Sequence, residues 1–392
     1  MDVDFLIVGA GFSGLVLAER LSTQLGASCL VVERRGHIGG NAYDEYDDHG
    51  VLIHKYGPHY FRTDKAHVRE YLSRFTQWRP VNYQILSWTK SRYWRFPVNL
   101  NTFEQLIGRA SSEEEFTAYL EKVRIPMDRP ANSEDVIVSQ IGWELYELFF
   151  KGYTQKQWNK SPAELDASVC ARIPIRTNRD DRYLRESFQA LPAAGYTRLF
   201  ERLLASSRNT KVLLNADYRE VRKSVRFKKL IHTGAIDEFY DYRAGVLPYR
   251  SLRFEPEHFS AEQLAGREAT AGRKGFWQPA LQVNYPNEFD YTRIVEVKHI
   301  TGQTCENTTI VREYPANYQR GGDAYYPVPN AESRRQYQAY ADIARCDPDV
   351  YFAGRLATYA YYNMDQVVDA ALEMAIRIQT DWLSGAQKRA VA

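Results

Sequence analysis

The turn between the first apolar strand and the first helix constrains the fold of this chain more than any other feature of the sequence. Gly9, Gly11 and Gly14 follow the apolar residues 5–8 in the pattern G-x-G-x-x-G. Gly9 permits a tight turn, Gly11 lets the backbone approach a pyrophosphate, and Gly14 lets the helix pack closely on the strand. The helix that begins near Phe12 directs free N–H groups and its positive dipole end toward phosphate. The pattern therefore predicts a Rossmann-like α/β unit that binds a dinucleotide.

An acidic residue and a second pair of glycines distinguish between the possible dinucleotides. Glu33 ends the predicted strand at residues 29–32, where a carboxylate can accept hydrogen bonds from ribose hydroxyls. Residues 39–41, Gly-Gly-Asn, resemble the extended fingerprint of FAD-binding flavoproteins. Arg34 and Arg35 would suit a 2′-phosphate, but the Glu33 carboxylate would repel one. We therefore predict FAD rather than NAD. The predicted contacts in this part of the chain are Gly9, Gly11, Phe12, Ser13, Gly14, Glu33, Arg34, Gly40 and Asn41.

Composition excludes several classes of partner. The chain has 51 Lys and Arg against 49 Asp and Glu, so it offers no basic field for nucleic acid. The four cysteines lie far apart, without metal-ligand or redox spacing, and fit a reducing compartment. The N-terminus is acidic where a signal peptide is basic, and no run of 18 apolar residues occurs. We therefore expect a cytoplasmic protein that contacts neither nucleic acid nor membrane and holds no metal.

The nucleotide-binding unit uses both ends of the chain. Residues 350–354 form a second apolar strand that runs into glycine, and apolar residues then recur at helical spacing over 367–376. Asn363 or Asp365 is placed to cap that helix. The fold class we predict is α/β, with a Rossmann-like FAD-binding domain, an inserted helical domain and an inserted antiparallel β-sheet domain. The predicted parts are the FAD domain at 1–74, about 195–240 and 331–392, the β-sheet substrate domain at 75–100 and 166–330, and the helical domain at 101–165.

Seven segments of the chain resemble UDP-galactopyranose mutases, in the order that the family has them. They are residues 54–61, 151–158, 172–176, 234–242, 291–294, 325–327 and 354–357. The resemblance implies an isomerase that interconverts the pyranose and furanose forms of a UDP-sugar, with no net redox change. It implies that N5 of reduced FAD attacks the anomeric carbon while the nucleoside diphosphate leaves. It also implies a homodimer, a mobile loop in the helical domain, and a role in polysaccharide synthesis.

The same resemblance assigns roles to individual residues. Arg172 and Arg293 are implied to approach the pyrophosphate, and Arg355 to lie near both flavin and substrate phosphate, since a guanidinium matches phosphate oxygens. His59 is implied to face the isoalloxazine. The implied catalytic residues are His59, Arg62, Arg172, Arg293 and Arg355. The other implied substrate contacts are Phe149, Phe150, Tyr153, Thr154, Trp158, Tyr183, Tyr326 and Tyr361. The other implied flavin contacts are Met364, Asp365 and Gln366.

Departures from the family pattern leave the sugar open. Arg62 stands where many members have histidine, Asn363 replaces a common aspartate, and Ala360 replaces a common basic residue. The substrate is UDP-galactose, UDP-N-acetylgalactosamine or a deoxysugar nucleotide such as dTDP-fucose. We expect Arg62 to admit an acetamido sugar; alternatively, it pairs with a nearby carboxylate such as Asp64. Two rival classes are an FAD oxidoreductase of the amine-oxidase type and a non-catalytic sugar-binding module.

Overall fold

The computed structural model describes residues 1–267 and 271–391, which form four β-sheets and a set of helices. The strands in chain order are β1 (Asp2–Val8), β2 (Cys29–Val32), β3 (Asp44–Tyr46), β4 (Leu52–His54), β5 (Phe61–Thr63), β6 (Trp78–Pro80), β7 (Ile85–Thr89), β8 (Arg92–Phe96), β9 (Phe188–Pro192), β10 (Thr210–Leu213), β11 (Arg226–His232), β12 (Tyr249–Phe259), β13 (Gln282–Asn284), β14 (Arg293–Val295), β15 (Thr308–Asn317), β16 (Tyr326–Pro327) and β17 (Val350–Phe352).

Helices occupy much of the remaining chain. The described α-helices are Phe12–Leu25, Ala66–Ser73, Leu100–Ile107, Glu113–Val123, Ser133–Tyr146, Gly152–Trp158, Ser168–Ala171, Tyr196–Ala205, Tyr218–Ser224, Ile236–Phe239, Ala261–Leu264, Lys298–Thr301, Ala331–Ala344 and Met364–Val391. Two short 3₁₀ turns, Gly40–Ala42 and Pro162–Glu164, and one π-helical turn, Glu147–Lys151, complete the set. Among the described helices, none combines the length and the apolar character that crossing a bilayer requires.

The first sheet confirms the Rossmann-like prediction. Its five strands run parallel in the order β10-β2-β1-β11-β17, so strands from the start, the middle and the end of the chain lie side by side. The central strand β1 is buried through Phe5, Leu6 and Ile7, which is why it reads as a continuous apolar run. The helices Phe12–Leu25 and Met364–Val391 share one hydrophobic core beneath this sheet. The two ends of the chain therefore build one nucleotide-binding domain.

The second large sheet has seven strands in the order β16-β12-β15-β14-β13-β7-β8. β12 and β15 form its long centre, pairing from Arg250 opposite Asn317 to Phe259 opposite Thr308. All of its pairings are antiparallel except that of β7 with β13, so the predicted antiparallel sheet is in fact mixed. Parallel pairing is possible there because the whole helical segment separates the two strands in sequence. β6 belongs to a separate sheet with β5 and β9.

The helical segment lies between β8 and β9 and has its own core. The helix Ser133–Tyr146 lies within the predicted helical domain, and Asn132 caps it by accepting from the backbone N–H of Asp135 at 2.9 Å. Its apolar face, which includes Ile137 and Ile141, is buried against the preceding helices. The chain then passes through the π-helical turn into the helix Gly152–Trp158, which faces the seven-stranded sheet. This arrangement brings the predicted substrate segment beside the sheet.

Candidate active site

The first glycine turn has the geometry that its sequence predicts. Gly9 has a backbone φ of +99°, and a Cβ on it would lie 2.2 Å from Oγ1 of Thr233. A Cβ on Gly14 would lie 2.0 Å from the carbonyl oxygen of Gly9, so the helix can pack this closely on the strand only because Gly14 has no side chain. The turn therefore depends on glycine at both positions.

Glycines from three parts of the chain surround the start of the helix Phe12–Leu25. A Cβ on Gly40 would lie 3.0 Å from the Cα of Gly11, and one on Gly354 would lie 2.6 Å from Oγ of Ser13. Among the described residues no side chain caps this helix, so its first N–H groups stay available to an anion. A narrow cradle without side chains, beside free N–H groups, fits the pyrophosphate of FAD.

Glu33 is buried next to the turn. Its Oε2 accepts from the backbone N–H of Ala10 at 2.8 Å, and its Oε1 accepts from that of Arg35 at 2.9 Å. Each carboxylate oxygen has a second lone pair that can meet a ribose hydroxyl. The position and orientation of Glu33 therefore suit the role predicted for it.

The two arginines after Glu33 are occupied by protein groups. Arg34 is half exposed and pairs with Asp323 at 2.5 Å, and Arg35 reaches the same carboxylate at 3.1 Å. Arg35 also donates to Oδ1 of Asn41 at 2.9 Å, which fixes the side chain of Asn41. Direct contacts of Arg34 and Asn41 with FAD stay predictions.

His59 lies partly buried in the loop between β4 and β5 and is neutral. Its Nδ1 carries the ring proton, because the nearest partner of that nitrogen is the carbonyl oxygen of Gly57 at 2.8 Å. Its Nε2 is therefore an acceptor. Burial, together with the charges of His54, Arg355 and Arg293, lowers the pKa of His59 to about 3. The electrostatic reach of both arginines places the three predicted catalytic side chains in one site.

Arg293 and Glu313 form a buried ion pair that crosses neighbouring strands. They are register partners on β14 and β15, and Nη2 of Arg293 donates to Oε2 of Glu313 at 2.7 Å. Their side chains are 14% and 2% exposed. Burial opposes the charge, but the adjacent carboxylate prevails and raises the pKa of Arg293 well above its usual value. Within the described residues, Nε of Arg293 and Oε1 of Glu313 have no hydrogen-bond partner.

Arg172 and Arg355 share an aromatic neighbour. The guanidinium carbon of Arg172 lies 5.6 Å from the ring centroid of Tyr361, and that of Arg355 lies 5.8 Å from the same centroid. Arg355 also lies 5.4 Å from the ring of Tyr326. Each arginine donates its Nε–H to a backbone carbonyl at 3.1 Å, and neither forms an ion pair with a carboxylate of the described chain. Both positive charges are therefore available to an anionic ligand.

Trp158 completes this cation–aromatic cluster. Its ring lies 5.8 Å from that of Tyr361 and 6.2 Å from that of Tyr326. Trp158 is 2% exposed, yet its Nε1–H has no acceptor among the described residues. A buried donor without a partner costs free energy, so this N–H points to a ligand as its acceptor.

Two tyrosines connect the arginines. Tyr153 and Tyr183 both lie within electrostatic reach of Arg172, and Tyr153 is also within reach of Arg293. Burial raises the pKa of Tyr153 well above its usual value, so its hydroxyl stays protonated and can donate. The structure thus brings most of the predicted substrate residues to one place.

Phe149, Phe150 and Thr154 are buried in or beside the core of the helical segment, against which Tyr183, Tyr326 and Tyr361 also pack. The ring of Phe149 lies 5.6 Å from that of Trp94, and the ring of Phe150 lies 5.7 Å from that of Phe96. The Thr154 hydroxyl lies 3.6 Å from a cysteine sulphur. Their predicted contacts with a nucleotide stay predictions.

Arg62 has a carboxylate partner, but the partner is Glu186. Its Nε donates to Oε1 of Glu186 at 2.9 Å, whereas Asp64 accepts from the backbone and hydroxyl of Ser187. The reason is the antiparallel pairing of β5 with β9, which places the residues before β9 beside Arg62. The sequence alternative named the right type of contact and the wrong residue.

The last predicted flavin contacts begin the C-terminal helix. Asp365 is buried, and burial raises the pKa of its carboxyl. Gln366 turns back to accept from the backbone N–H of Asn363 at 2.8 Å, which caps the helix. Met364 packs against the core of the first sheet. These three residues therefore stand at a helix N-terminus that belongs to the FAD domain.

Sequence reasoning missed Glu313 and Arg250. Arg250 is buried on β12, where it donates to the carbonyl of Gln157 at 2.9 Å and to Oδ1 of Asn317 at 2.6 Å. It thereby holds the end of the helix that carries Trp158. The only sequence signal for Glu313 is an acid that follows four apolar or β-branched residues and one arginine in β15. That signal does not reveal which arginine faces it.

Two family models match the chain. Residues 148–361 match the model of UDP-galactopyranose mutase, and residues 7–75 match that of an NAD(P)-binding Rossmann-like domain. The first match contains Arg172, Arg293 and Arg355, and the second contains Arg62 and both glycine turns.

Individual relatives extend the similarity over the whole chain. A probable UDP-galactopyranose mutase of Klebsiella pneumoniae is 34% identical over 95% of this chain and 94% of its own. A dTDP-fucopyranose mutase of Escherichia coli is 33% identical over 94% of this chain and 97% of its own. A crystal structure of reduced UDP-galactopyranose mutase superposes with a TM-score of 0.73, covering 97% of this chain and 94% of that one at 16% identity. The last likeness shows the fold.

Proposed function

The chain belongs to the UDP-galactopyranose mutase family and is a nucleotide-sugar pyranose mutase with FAD as its cofactor, and we propose that its substrate is a UDP-sugar. UDP-galactose is the first candidate and UDP-N-acetylgalactosamine the second. Family membership favours this function over the amine-oxidase type of oxidoreductase and over a non-catalytic binding module.

The charge of the site carries the proposal. Three guanidinium groups, those of Arg172, Arg293 and Arg355, stand against the Glu313 carboxylate, which leaves two positive charges. A nucleoside diphosphate sugar brings two negative charges on its pyrophosphate. Since guanidinium groups form strong charge-assisted hydrogen bonds with phosphate oxygens, a ligand of that charge fits the site.

The chain's own residues have three tasks in the proposed reaction. Reduced FAD, when bound, supplies the electron pair that reacts with the anomeric carbon. Arg172 and Arg355 hold the diphosphate after its bond to the sugar breaks, so that it stays in place to return. Arg293 keeps a fixed positive charge because Glu313 stabilises it. The neutral Nε2 of His59 accepts a hydrogen bond and, at its low pKa, does not store a proton.

A dTDP-sugar is the third candidate substrate. The E. coli relative named a dTDP-fucopyranose mutase is as similar to this chain as the Klebsiella relative is. Overall sequence identity therefore does not show whether this chain binds a UDP-sugar or a dTDP-sugar. The side chains that contact the base determine that choice.

The test is product analysis under anaerobic conditions. Dithionite-reduced protein is incubated separately with UDP-galactofuranose, UDP-N-acetylgalactosamine and dTDP-fucopyranose, and the ring forms are separated by chromatography. We expect conversion of a UDP-sugar with no consumption of reductant per turnover, and no conversion by oxidised protein. Turnover of the dTDP-sugar alone would replace the proposed substrate, and one reductant consumed per product would exclude the isomerase.

We further propose that the protein is a cytoplasmic homodimer that serves polysaccharide synthesis. Ile125, Met127 and Trp143 support a dimer because these apolar side chains of the helical domain are 40%, 37% and 47% exposed. Light scattering should give twice the chain mass. Trp143→Glu should shift the protein toward a monomer, whereas Phe289→Glu, at an equally exposed site on the other domain, should not.

A further inference from the structure

Two buried side chains hold the backbone of His59 from both sides. The N–H of His59 donates to Nδ1 of His54 at 3.1 Å, and its carbonyl oxygen accepts from the hydroxyl of Tyr196 at 3.2 Å. His54 is 2% exposed and Tyr196 is fully buried. Neither residue belongs to the arginine and tyrosine set described above.

The hydrogen bond from His59 fixes the tautomer of His54. A backbone N–H can only donate, so Nδ1 of His54 has to be the acceptor and the ring proton lies on Nε2. Burial lowers the pKa of His54 to about 4, so the ring is neutral at physiological pH. A second proton would turn this acceptor into a donor and remove the bond.

The two holding residues share one rigid support. His54 ends β4 and is the register partner of Asp44 on β3. The Asp44 carboxylate accepts from the backbone N–H groups of Tyr196 and Thr197, at 2.6 and 2.7 Å, and so caps the helix Tyr196–Ala205. The acceptor for the His59 N–H and the donor to its carbonyl are thus joined through Asp44.

The other end of the same loop packs against the substrate sheet. A Cβ on Gly57 would lie 2.9 Å from the ring of Phe254 and 3.0 Å from Oε2 of Glu313. Any shift of the loop toward the sheet therefore meets the Arg293–Glu313 pair. The loop connects the FAD domain with the substrate site and is constrained at both ends.

We propose that His54 and Tyr196 are positioning residues that fix the His59 backbone and thereby set the place of its imidazole against the flavin. The proposal rests on the proposed function for the identity of the flavin and the role of His59. It makes no claim that His54 or Tyr196 contacts the substrate.

The experiment compares four variants as flavin-loaded protein. His54→Leu removes the acceptor, and Tyr196→Phe removes the hydroxyl. His54→Asn keeps an acceptor oxygen close to the position of Nδ1 and cannot take up a proton. Tyr340→Phe is the matched control, because Tyr340 is another fully buried tyrosine that donates to a backbone carbonyl, at Gly245. The readouts are the visible flavin spectrum, the rate of FAD release, and kcat and KM.

We expect His54→Leu and Tyr196→Phe to shift the flavin spectrum and to lower kcat about three- to tenfold, the scale of one neutral hydrogen bond. KM should stay within about twofold, because the substrate contacts are untouched. His54→Asn should restore the wild-type spectrum and kcat, and Tyr340→Phe should change neither. A wild-type spectrum in His54→Leu, no rescue by Asn, or equal changes in Tyr340→Phe would each overturn the proposal. If wild-type protein lacks mutase activity, the spectrum still reports on the loop, so the two proposals fail separately.

Discussion

Removing Arg293 should destabilise this protein far more than removing Arg172, although both arginines are proposed to bind the same diphosphate. Arg293→Ala leaves the Glu313 carboxylate, which is 2% exposed, without its counter-ion. Breaking a buried pair by deleting one partner costs about 3–5 kcal/mol. A Coulomb interaction of about 4 kcal/mol at 4 Å and an effective dielectric constant of 20 agrees with that range.

Arg172→Ala leaves no carboxylate of the described chain without a counter-ion. Arg172 donates to the carbonyl of Val169, and its charge faces aromatic rings, chiefly Tyr361. Losing one such hydrogen bond lowers the free energy of unfolding by about 0.5–1.5 kcal/mol. Both variants should still lose about 10²–10³ in turnover, because each removes a fixed charge from the departing diphosphate. Activity alone therefore cannot separate them, and stability can.

The assay is urea unfolding of each flavin-loaded variant, followed by tryptophan fluorescence. The double variant Arg293→Ala with Glu313→Gln removes the stranded charge and should recover at least half of the lost free energy of unfolding. Glu313→Gln in the wild-type background completes the cycle and measures the coupling of the pair. If Arg293→Ala proves as stable as Arg172→Ala, or if Glu313→Gln rescues nothing, the pair is not a buried ion pair in solution.

Four further predictions follow from single features of the structure. Gly14→Ala should yield folded protein without bound FAD, read from its visible spectrum, because the new Cβ would lie 2.0 Å from the Gly9 carbonyl. Burial lowers the pKa of His232 to about 3, so on acidification the unfolded chain takes up a proton before the folded protein does. The free energy of unfolding therefore falls as the pH drops below about 6.5. Urea titrations of His232→Phe should show about 2 kcal/mol less of this decrease between pH 7 and pH 5 than the wild type. Arg62→His should reduce turnover of UDP-N-acetylgalactosamine more than that of UDP-galactose, and an equal loss for both sugars would exclude Arg62 from sugar choice. UDP at 100 times its Kd should raise the free energy of unfolding by about 2.7 kcal/mol, and the same concentration should do less for Arg172→Ala.

The parts of the fold that depend on neighbouring residues could be predicted from the sequence. The glycine turn, the strand before it and the helix after it depend on contacts within about thirty residues, and periodicity together with Gly9 and Gly14 was enough. The place of the last strand and helix also followed, because Gly354 repeats the strand-into-glycine pattern. The parallel pairing of β7 with β13 could not be predicted, since residues 85–89 and 282–284 carry no local sign of each other.

Contacts between neighbouring strands could not be predicted from the sequence for the same reason. Glu313 became part of the site only through the register of β14 with β15, and a shift by one residue would turn it to the other face. The carboxylate partner of Arg62 also depends on a strand pairing, that of β5 with β9. The arginines of the site could be predicted only through the family resemblance, because the family motifs mark residues that such strand pairings bring together. His54 and Tyr196 escaped notice because their contacts are to backbone atoms, which leave no pattern in side-chain sequence.

The site keeps polar atoms that the protein itself does not satisfy. Nε1 of Trp158, Nε of Arg293 and Oε1 of Glu313 are buried without partners in the described chain, and the charge of Arg172 has no carboxylate beside it. Such an arrangement lowers the free energy of unfolding of the ligand-free protein, because each unpaired buried group costs free energy. A ligand with several acceptor oxygens and two negative charges accepts from the Trp158 and Arg293 N–H groups, whereas a hydroxyl of the sugar can donate to Oε1 of Glu313. In the proposed function, the same features that lower the stability of the free protein select a diphosphate and hold it after its bond to the sugar breaks, so that it can return to the same carbon.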